Sequence, residues 1–217
     1  MGVLLTNDDI AGESKYESTL PGIVDKLAER GLLEESDGAK VVYLDGWKNR
    51  EGDPLPLIIQ KADGGYNYAT SDLACILDRI ENVGSRDLLY IVGAEQAQHF
   101  AMVFEVARSA GFMDEGVNAI HVPFGLVMGT DGKKLASRTG GAVHLNDLLI
   151  EAVERADAIV AEKNPHLSNE ERAEVAKMLG IGAIKYADLS TDRSNNYTFE
   201  WEKMLSFDGN TAPYLQY

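Results

Sequence analysis

Residues 88–92 read Leu-Leu-Tyr-Ile-Val, and this stretch decides which fold the sequence predicts. An unbroken apolar run of this length is typical of a strand that helices cover on both faces. Apolar residues at helical spacing follow over 97–110, ending before Gly111, and a second short apolar run occupies 119–122. Strand, helix and strand in this order indicate a βαβ unit, whose two strands are parallel.

Further elements are predicted on the N-terminal side of this unit. The apolar run at 3–6 is predicted as a strand. The runs at 41–44 and 57–60 flank a turn-rich segment, and this pattern predicts a hairpin. Apolar residues at helical spacing then predict a helix that runs from an N-capping Ser71 to about Asn82.

The C-terminal third of the chain is predicted to be helical. One long amphipathic pattern covers 145–163. A second helix is predicted over 168–179, where SNEE at 168–171 fits a capping box, and a third over 181–189. We therefore predict an α/β fold, with a partial Rossmann-type parallel sheet and flanking helices, followed by an α-helical segment. The boundary between the two parts is predicted near residue 145.

The composition argues against several classes of protein. The 217 residues carry a formal net charge of −15, whereas proteins that bind nucleic acids usually present a basic face. The single cysteine, Cys75, cannot form a disulfide within the chain, which favours a reducing compartment. The patterns GxxxxGK, HExxH and GxSxG are absent, which argues against a P-loop, a metallopeptidase site and an α/β-hydrolase elbow.

Three groups of polar residues occupy positions that suit ligand binding. Tyr68 and Asp72 lie where an extended segment meets a predicted helix, and Gln96 and His99 follow the carboxyl end of the buried strand, where open α/β sheets bind ligands. The segment KKLASR at 133–138 places three cations on a loop, which suits phosphate binding. Each group also has a purely structural interpretation: an acid in the first turn of a helix, polar residues at a helix start, and a solvated basic turn.

Seven segments, taken in order, carry a resemblance to a known family. They are GESKY at 12–16, IIQKADGGYNYATSDLA at 58–74, YIVGAEQAQHF at 90–100, HVPFGLVMG at 121–129, KKLASRTGG at 133–141, GAIKYADLS at 182–190 and FEWEKMLSFDGNTAPYLQY at 199–217. Together they resemble the arginyl-tRNA synthetases, which are class I aminoacyl-tRNA synthetases, and the chain is similar to an internal fragment of their catalytic domain. The segments at 58–74 and 199–217 are the most specific, while KLASR alone is a weak signal.

The resemblance implies a set of residues that bind L-arginine. By motif these are Glu13, Tyr68, Asp72 and Gln96. Tyr68 and Asp72 would contact the guanidinium of the substrate. A carboxylate can bind a planar guanidinium through two parallel hydrogen bonds, which the point charge of a lysine cannot form.

The resemblance also implies residues for ATP and for catalysis. The implied ATP-binding residues are His99, His121, Phe124, Gly125 and Val127, and the implied catalytic loop residues are Lys133, Lys134, Ser137 and Arg138. Ser137 stands where class I enzymes usually carry the second lysine of their KMSKS motif. ATP would be a substrate accompanied by Mg²⁺ on its phosphates, and neither a tightly bound cofactor nor a metal site built by the protein is expected.

The resemblance further implies an arginine–tRNA ligase, whose partners are L-arginine, ATP and tRNA(Arg). Residues 1–145 would be the C-terminal part of a class I catalytic domain, and 146–217 a helical connector that leads into a truncated anticodon-binding domain. A His-x-Gly-His motif, which holds ATP in class I enzymes, is absent from these 217 residues, so this stretch alone is expected to be inactive.

A cytoplasmic monomer is also expected. Because the chain is acidic, little tRNA affinity of its own is expected. The alternatives are another class I synthetase or nucleotidyltransferase, and a non-catalytic interaction module derived from a synthetase.

Overall fold

The computed structural model describes residues 2–135 and 144–216. The chain forms two compact units. The first, here called the α/β unit, comprises Leu4–Pro123, and the second, here called the helical unit, begins at Phe124.

The α/β unit contains three helices and most of the strands. In chain order its elements are α1 (Leu20–Glu29), β1 (Glu34–Ser36), β2 (Ala39–Lys48), β3 (Pro54–Gln60), α2 (Tyr68–Glu81), β4 (Asp87–Gly93), α3 (Ala97–Ser109) and β5 (Asn118–Phe124). Strands β1, β2 and β3 form an antiparallel sheet in that order. The hairpin predicted from the runs at 41–44 and 57–60 is therefore confirmed.

The second sheet of this unit pairs β4 with β5, and α3 connects the two strands. The backbone N–H of Asn118 donates to the carbonyl of Arg86 at 2.7 Å, which brings the two strand beginnings together as in a parallel pair. The predicted fold class, an α/β protein with part of a Rossmann-type sheet and a following helical segment, is confirmed. Within the described residues, β4 is buried on one face: Leu88 and Tyr90 are buried, whereas Leu89 and Ile91 are exposed.

Two predictions for the α/β unit are wrong. Residues 3–6 form no strand, and Leu4 is 95% exposed, because no described strand lies beside this run to accept its backbone hydrogen bonds. Helix α2 begins at Tyr68 rather than after Ser71. Its N-cap is Asn67, whose side-chain oxygen accepts the backbone N–H of Tyr68 at 2.9 Å. Asp72 therefore lies beyond the first turn of α2.

The core of the α/β unit is built from large aliphatic and aromatic side chains. Leu27 of α1, Leu73 and Ile76 of α2 and Val103 of α3 are fully buried, together with Ile59 of β3. This core fixes α2 and α3 side by side, and the candidate site lies at the beginning of these two helices.

The helical unit contains two long helices and several short elements. In chain order these are β6 (Val127–Met128), α4 (Leu145–Lys163), α5 (Asn169–Leu189), β7 (Tyr197–Thr198), α6 (Trp201–Met204) and α7 (Ala212–Gln216). Strand β6 pairs with β7 in parallel. The helix predicted over 145–163 is confirmed, and so is the capping box of Ser168 and Glu171.

The prediction of separate helices over 168–179 and 181–189 is wrong, because α5 is continuous through Gly180. The glycine has a packing role instead of ending the helix. A Cβ atom at Gly180 would lie 2.6 Å from the carbonyl oxygen of Ala152, so its absence allows α5 to approach the backbone of α4 closely.

The predicted domain boundary near residue 145 stays a prediction. The compact units divide earlier, between Pro123 and Phe124, because β6 pairs with β7 and so joins the part that contains α4 and α5. None of the helices in the described ranges is long and apolar enough to cross a membrane.

Candidate functional site

Tyr68 and Asp72 lie one helical turn apart at the start of α2. Residues separated by four positions share a face of a helix, so the two side chains leave α2 on the same side. Tyr68 is 59% exposed, and 27% of the Asp72 side chain is accessible. Both side chains can therefore be reached by a ligand from solvent.

His99, on the first turn of α3, completes this group. Its Nε2 atom lies 2.6 Å from Oδ2 of Asp72, and its ring meets the ring of Tyr68 edge-on with centroids 4.6 Å apart. The imidazole is the least exposed of the three side chains, with 13% of its surface accessible. The resemblance implied that His99 contacts ATP, whereas the structure places it beside the two residues expected to contact arginine.

A row of aromatic rings fixes the beginning of α3 against the strands. Phe100 is buried and packs against Tyr90 of β4 with centroids 4.9 Å apart. Phe100 also stacks with His121 of β5, with centroids 5.7 Å apart and an interplanar angle of 25°. The Nε2 atom of His121 lies 3.3 Å from the carbonyl oxygen of Val92. His121 is thus near the carboxyl end of β4, and His99 is anchored through its neighbour Phe100.

Gln96 and Glu13, the other two residues expected to bind arginine, are exposed. Gln96 ends a short 3-10 turn, Ala94–Gln96, that joins β4 to α3. Glu13 begins another 3-10 turn, Glu13–Thr19, which contacts α2 through Lys15 and Tyr16 at Asp78, farther along the helix than Asp72. Among the described residues, no hydrogen bond or ion pair connects Glu13 or Gln96 with Tyr68 or Asp72, so their role stays a prediction.

Farther along α2, a buried group has a structural role. Burial raises the pKa of the Cys75 thiol, and it likewise raises the pKa of the Tyr16 hydroxyl, so both groups are neutral near pH 7. Lys15 donates to Asp78 at 2.7 Å and holds the pKa of that carboxyl below its ordinary value. These contacts tie the turn before α1 to α2.

The helical unit contains the described part of the predicted catalytic loop. Met128 and Lys134 pair as an antiparallel bridge, and the N–H of Gly129 donates to the carbonyl of Lys133 at 2.7 Å. Lys133 and Lys134 therefore lie on the returning arm of a tight hairpin, where both are exposed. Two further predicted loop residues, Ser137 and Arg138, lie outside the described residues.

The segment 124–127, which contains three of the residues implied to bind ATP, begins the same unit. The N–H of Gly125 donates to the carbonyl of Arg193 at 2.7 Å, and the carbonyl of Val127 accepts the N–H of Leu135 at 2.9 Å. A Cβ atom at Gly125 would collide with the backbone of Asn195. These groups are used within the unit, while Phe124 is exposed, and the ATP-binding role of Phe124, Gly125 and Val127 stays a prediction.

The group of Tyr68, Asp72 and His99 is suited to bind a planar cation. It offers a carboxylate that solvent reaches, an aromatic ring beside it, and a histidine that fixes one carboxylate oxygen. The sequence identified all three residues as polar positions near helix starts, but it did not indicate that His99 contacts Asp72. The one available signal was that His99 follows β4, because ligands bind at the carboxyl ends of parallel strands in α/β folds.

Comparisons with known proteins identify the family of the chain. The family model described as tRNA synthetases class I (R), catalytic domain, matches residues 1–201. The arginine–tRNA ligase of Laribacter hongkongensis is 52% identical over 217 residues, which are 100% of this chain and 38% of that protein. The arginine–tRNA ligase of Klebsiella pneumoniae (strain 342) is 50% identical with the same coverage. The chain thus spans 38% of the length of these curated relatives.

Solved structures show the same likeness. The arginyl-tRNA synthetase from Plasmodium falciparum superposes with a TM-score of 0.78 at 28% identity, covering 94% of this chain and 33% of that chain. The arginyl-tRNA synthetase of Thermus thermophilus matches the fold with a TM-score of 0.72 at 22% identity, covering 92% of this chain and 38% of that one. Because the family model spans most of the sequence, the chain belongs to the catalytic-domain family of the class I arginyl-tRNA synthetases.

Proposed function

We propose that the complete protein, meaning the full-length product of the gene that encodes this chain, is an arginine–tRNA ligase. It activates L-arginine with ATP to form arginyl-adenylate and transfers the arginyl group to tRNA(Arg). The observation that carries this proposal is the group of Tyr68, Asp72 and His99 on α2 and α3, within a chain of this family.

In the proposed reaction the guanidinium of arginine binds the Asp72 carboxylate, with the ring of Tyr68 beside it. A guanidinium presents its N–H groups as a planar fork, and a carboxylate accepts two of them in parallel. The neutral urea of citrulline and the ammonium of lysine lack this combination of charge and geometry. Selection of arginine therefore depends on the one carboxylate of this group.

The chemical step needs no nucleophile from the protein. The carboxylate of arginine attacks the α-phosphorus of ATP, forming arginyl-adenylate as pyrophosphate leaves. A hydroxyl of the terminal adenosine of the tRNA then attacks the activated carbonyl, and AMP leaves. Lys133 and Lys134 are exposed on their hairpin and would stabilise negative charge on the phosphates.

ATP would bring Mg²⁺ as part of the substrate. In the proposed reaction this Mg²⁺ is bound through phosphate oxygens of ATP. The complete protein is further proposed to be a cytoplasmic monomer. The 217 residues alone are proposed to be inactive and to bind tRNA weakly, since they carry a net charge of −15 and no His-x-Gly-His motif.

The experiment that tests the function is arginine-dependent exchange of pyrophosphate into ATP by the complete protein in the presence of tRNA(Arg). Asp72→Ala is expected to lower kcat/KM for arginine by about 1000-fold, because a charged partner of the guanidinium is lost. Asp25→Ala, which removes an exposed carboxylate on α1, is the matched control and should leave the exchange unchanged.

Near-normal exchange by Asp72→Ala would remove Asp72 from this role. Exchange that depends on a different amino acid would favour another class I synthetase. A complete protein that binds no arginine and exchanges no pyrophosphate would favour the interaction module derived from a synthetase.

A further inference from the structure

His99 and Asp72 are in direct contact, and neither the ATP-binding role implied for His99 nor the arginine-binding role implied for Asp72 explains this contact. His99 Nε2 lies 2.6 Å from Asp72 Oδ2, and the two residues are 27 positions apart in sequence. The imidazole is less exposed than the carboxylate, at 13% against 27% of each side chain. His99 is therefore less accessible to a ligand from solvent than Tyr68 or Asp72.

The position of His99 is set by the core and not by the carboxylate alone. Its neighbour Phe100 is 4% exposed and packs against Tyr90, with ring centroids 4.9 Å apart, and against His121 at 5.7 Å. The His99 ring also meets the Tyr68 ring edge-on at 4.6 Å. Because the beginning of α3 is anchored in this way, His99 offers a fixed donor to a carboxylate on a different helix.

The Asp72 carboxylate needs such a donor. The terminal torsion of an aspartate is broad, so the plane of a partly exposed carboxylate is poorly defined unless something binds it. Two parallel hydrogen bonds to a guanidinium require both oxygens in one plane with the fork. Each oxygen has two lone pairs, so Oδ2 can accept from His99 and from a ligand together. Within residues 2–135 and 144–216, no donor is bound to Oδ1.

We propose that His99 is a positioning residue for arginine selection, holding the Asp72 carboxylate in the plane that the substrate guanidinium requires. The proposal rests on the proposed function, since it gives Asp72 the guanidinium as its ligand. His99 acts through Asp72 and leaves ATP binding largely unaffected. Loss of the imidazole is therefore expected to weaken the apparent affinity for arginine and not that for ATP.

The test measures KM for arginine and for ATP separately, by pyrophosphate exchange with the complete protein in the presence of tRNA(Arg). His99→Ala is expected to raise KM for arginine by about 10- to 100-fold, the effect of losing one hydrogen bond to a charged group, with KM for ATP within about twofold. His99→Gln keeps an N–H close to the position of Nε2 and is expected to restore KM for arginine to within about fivefold of the unaltered protein. His166→Ala, at an exposed histidine, is the matched control and should change neither constant.

A second pair of variants covers the case in which His99→Ala does not fold. His99→Gln reaches Asp72 and His99→Asn is too short to do so, and the expected result is a higher KM for arginine in the asparagine variant. Equal KM values for arginine in the two variants, or a rise in KM for ATP as large as that for arginine, would overturn the positioning role. If the unaltered complete protein shows no arginine-dependent exchange, the proposed function fails, and the inference fails with it.

Discussion

The α/β unit and the helical unit pack their helices in opposite ways. In the α/β unit, α1, α2 and α3 bury large side chains, among them Leu27, Leu73 and Val103, and these side chains fill the space between backbones. In the helical unit, α4 and α5 meet through alanine and glycine, and the backbone of α5 at Gly180 lies close to the carbonyl of Ala152. The core of the α/β unit depends on large side chains that fill the space between helices, whereas the contact of α4 with α5 depends on the small size of the side chains between them.

This difference determines which substitutions each unit tolerates. A core of large side chains loses stability when a side chain is shortened, because a cavity remains. An interface of small residues loses stability when a side chain is enlarged, because the helices must separate. The positions that support the candidate site on α2 and α3 belong to the first kind.

The largest effect is expected from Leu27→Ala, at a fully buried position of α1. The lost contacts and the resulting cavity should lower the free energy of unfolding of the α/β unit by about 3 to 4 kcal/mol. Hydrogen exchange of amides in α1, α2 and α3 in the complete protein measures this change. Leu4→Ala makes the same substitution at a residue that is 95% exposed, and its effect should stay below about 0.5 kcal/mol. Equal losses for the two variants would contradict the described core.

A smaller effect of opposite kind is expected from Gly180→Ala. The added Cβ atom would lie 2.6 Å from the Ala152 carbonyl, so α4 and α5 must shift. Overpacking outweighs the gain in helix propensity and should destabilise the helical unit by about 1 to 2 kcal/mol. Gly22→Ala on α1 is the matched control, because no atom lies within 4 Å of the position that its methyl group would take. It should stabilise α1 by about 0.5 to 1 kcal/mol, and the same sign for both variants would refute the close approach of α4 and α5.

The smallest effect concerns the carboxyl of Asp78. Its pKa lies below the ordinary value of 3.8, chiefly because Lys15 donates to it. The contribution to stability is therefore present above pH 3.8 and is lost as the pH falls through the lower pKa of the folded protein. Lys15→Met should move the Asp78 pKa upward, which an NMR titration of its carboxyl carbon measures.

Glu171 in the helical unit is the internal control for this titration. Its pKa is lowered by Ser168, three residues earlier in the same capping box, so it should not respond to Lys15→Met. A change at Glu171, or none at Asp78, would show that the lowered pKa values have another origin.

The sequence predicted those elements whose signals are local. The bounds of α4 follow from its amphipathic pattern. The capping box of Ser168 and Glu171 can be recognised from four consecutive residues. The β2–β3 hairpin follows from two apolar runs around a turn-rich segment. Gly180 misled the prediction, because a glycine looks the same in sequence whether it ends a helix or allows a neighbouring helix to approach.

The start of α2 was missed for a related reason. Asn67 and Ser71 are both good N-cap residues, and only the backbone conformation shows that Asn67 is extended while Ser71 is already helical. The shift places Tyr68 inside the helix, on the same face as Asp72. The two predicted arginine-binding residues are thereby neighbours through helical geometry alone.

Motifs and periodicity are properties of short stretches, so the sequence was sufficient to predict the family, the α/β-then-helical order of the elements and the residues expected to contact arginine. The contacts of His99 with Asp72 and Tyr68 emerge only from the folded arrangement. That contact joins two helices through β4 and the aromatic packing of Phe100, and no local pattern encodes the distance between side chains 27 residues apart. Gly180 is the corresponding example in the helical unit, because its role in packing is evident only from the close approach of α4.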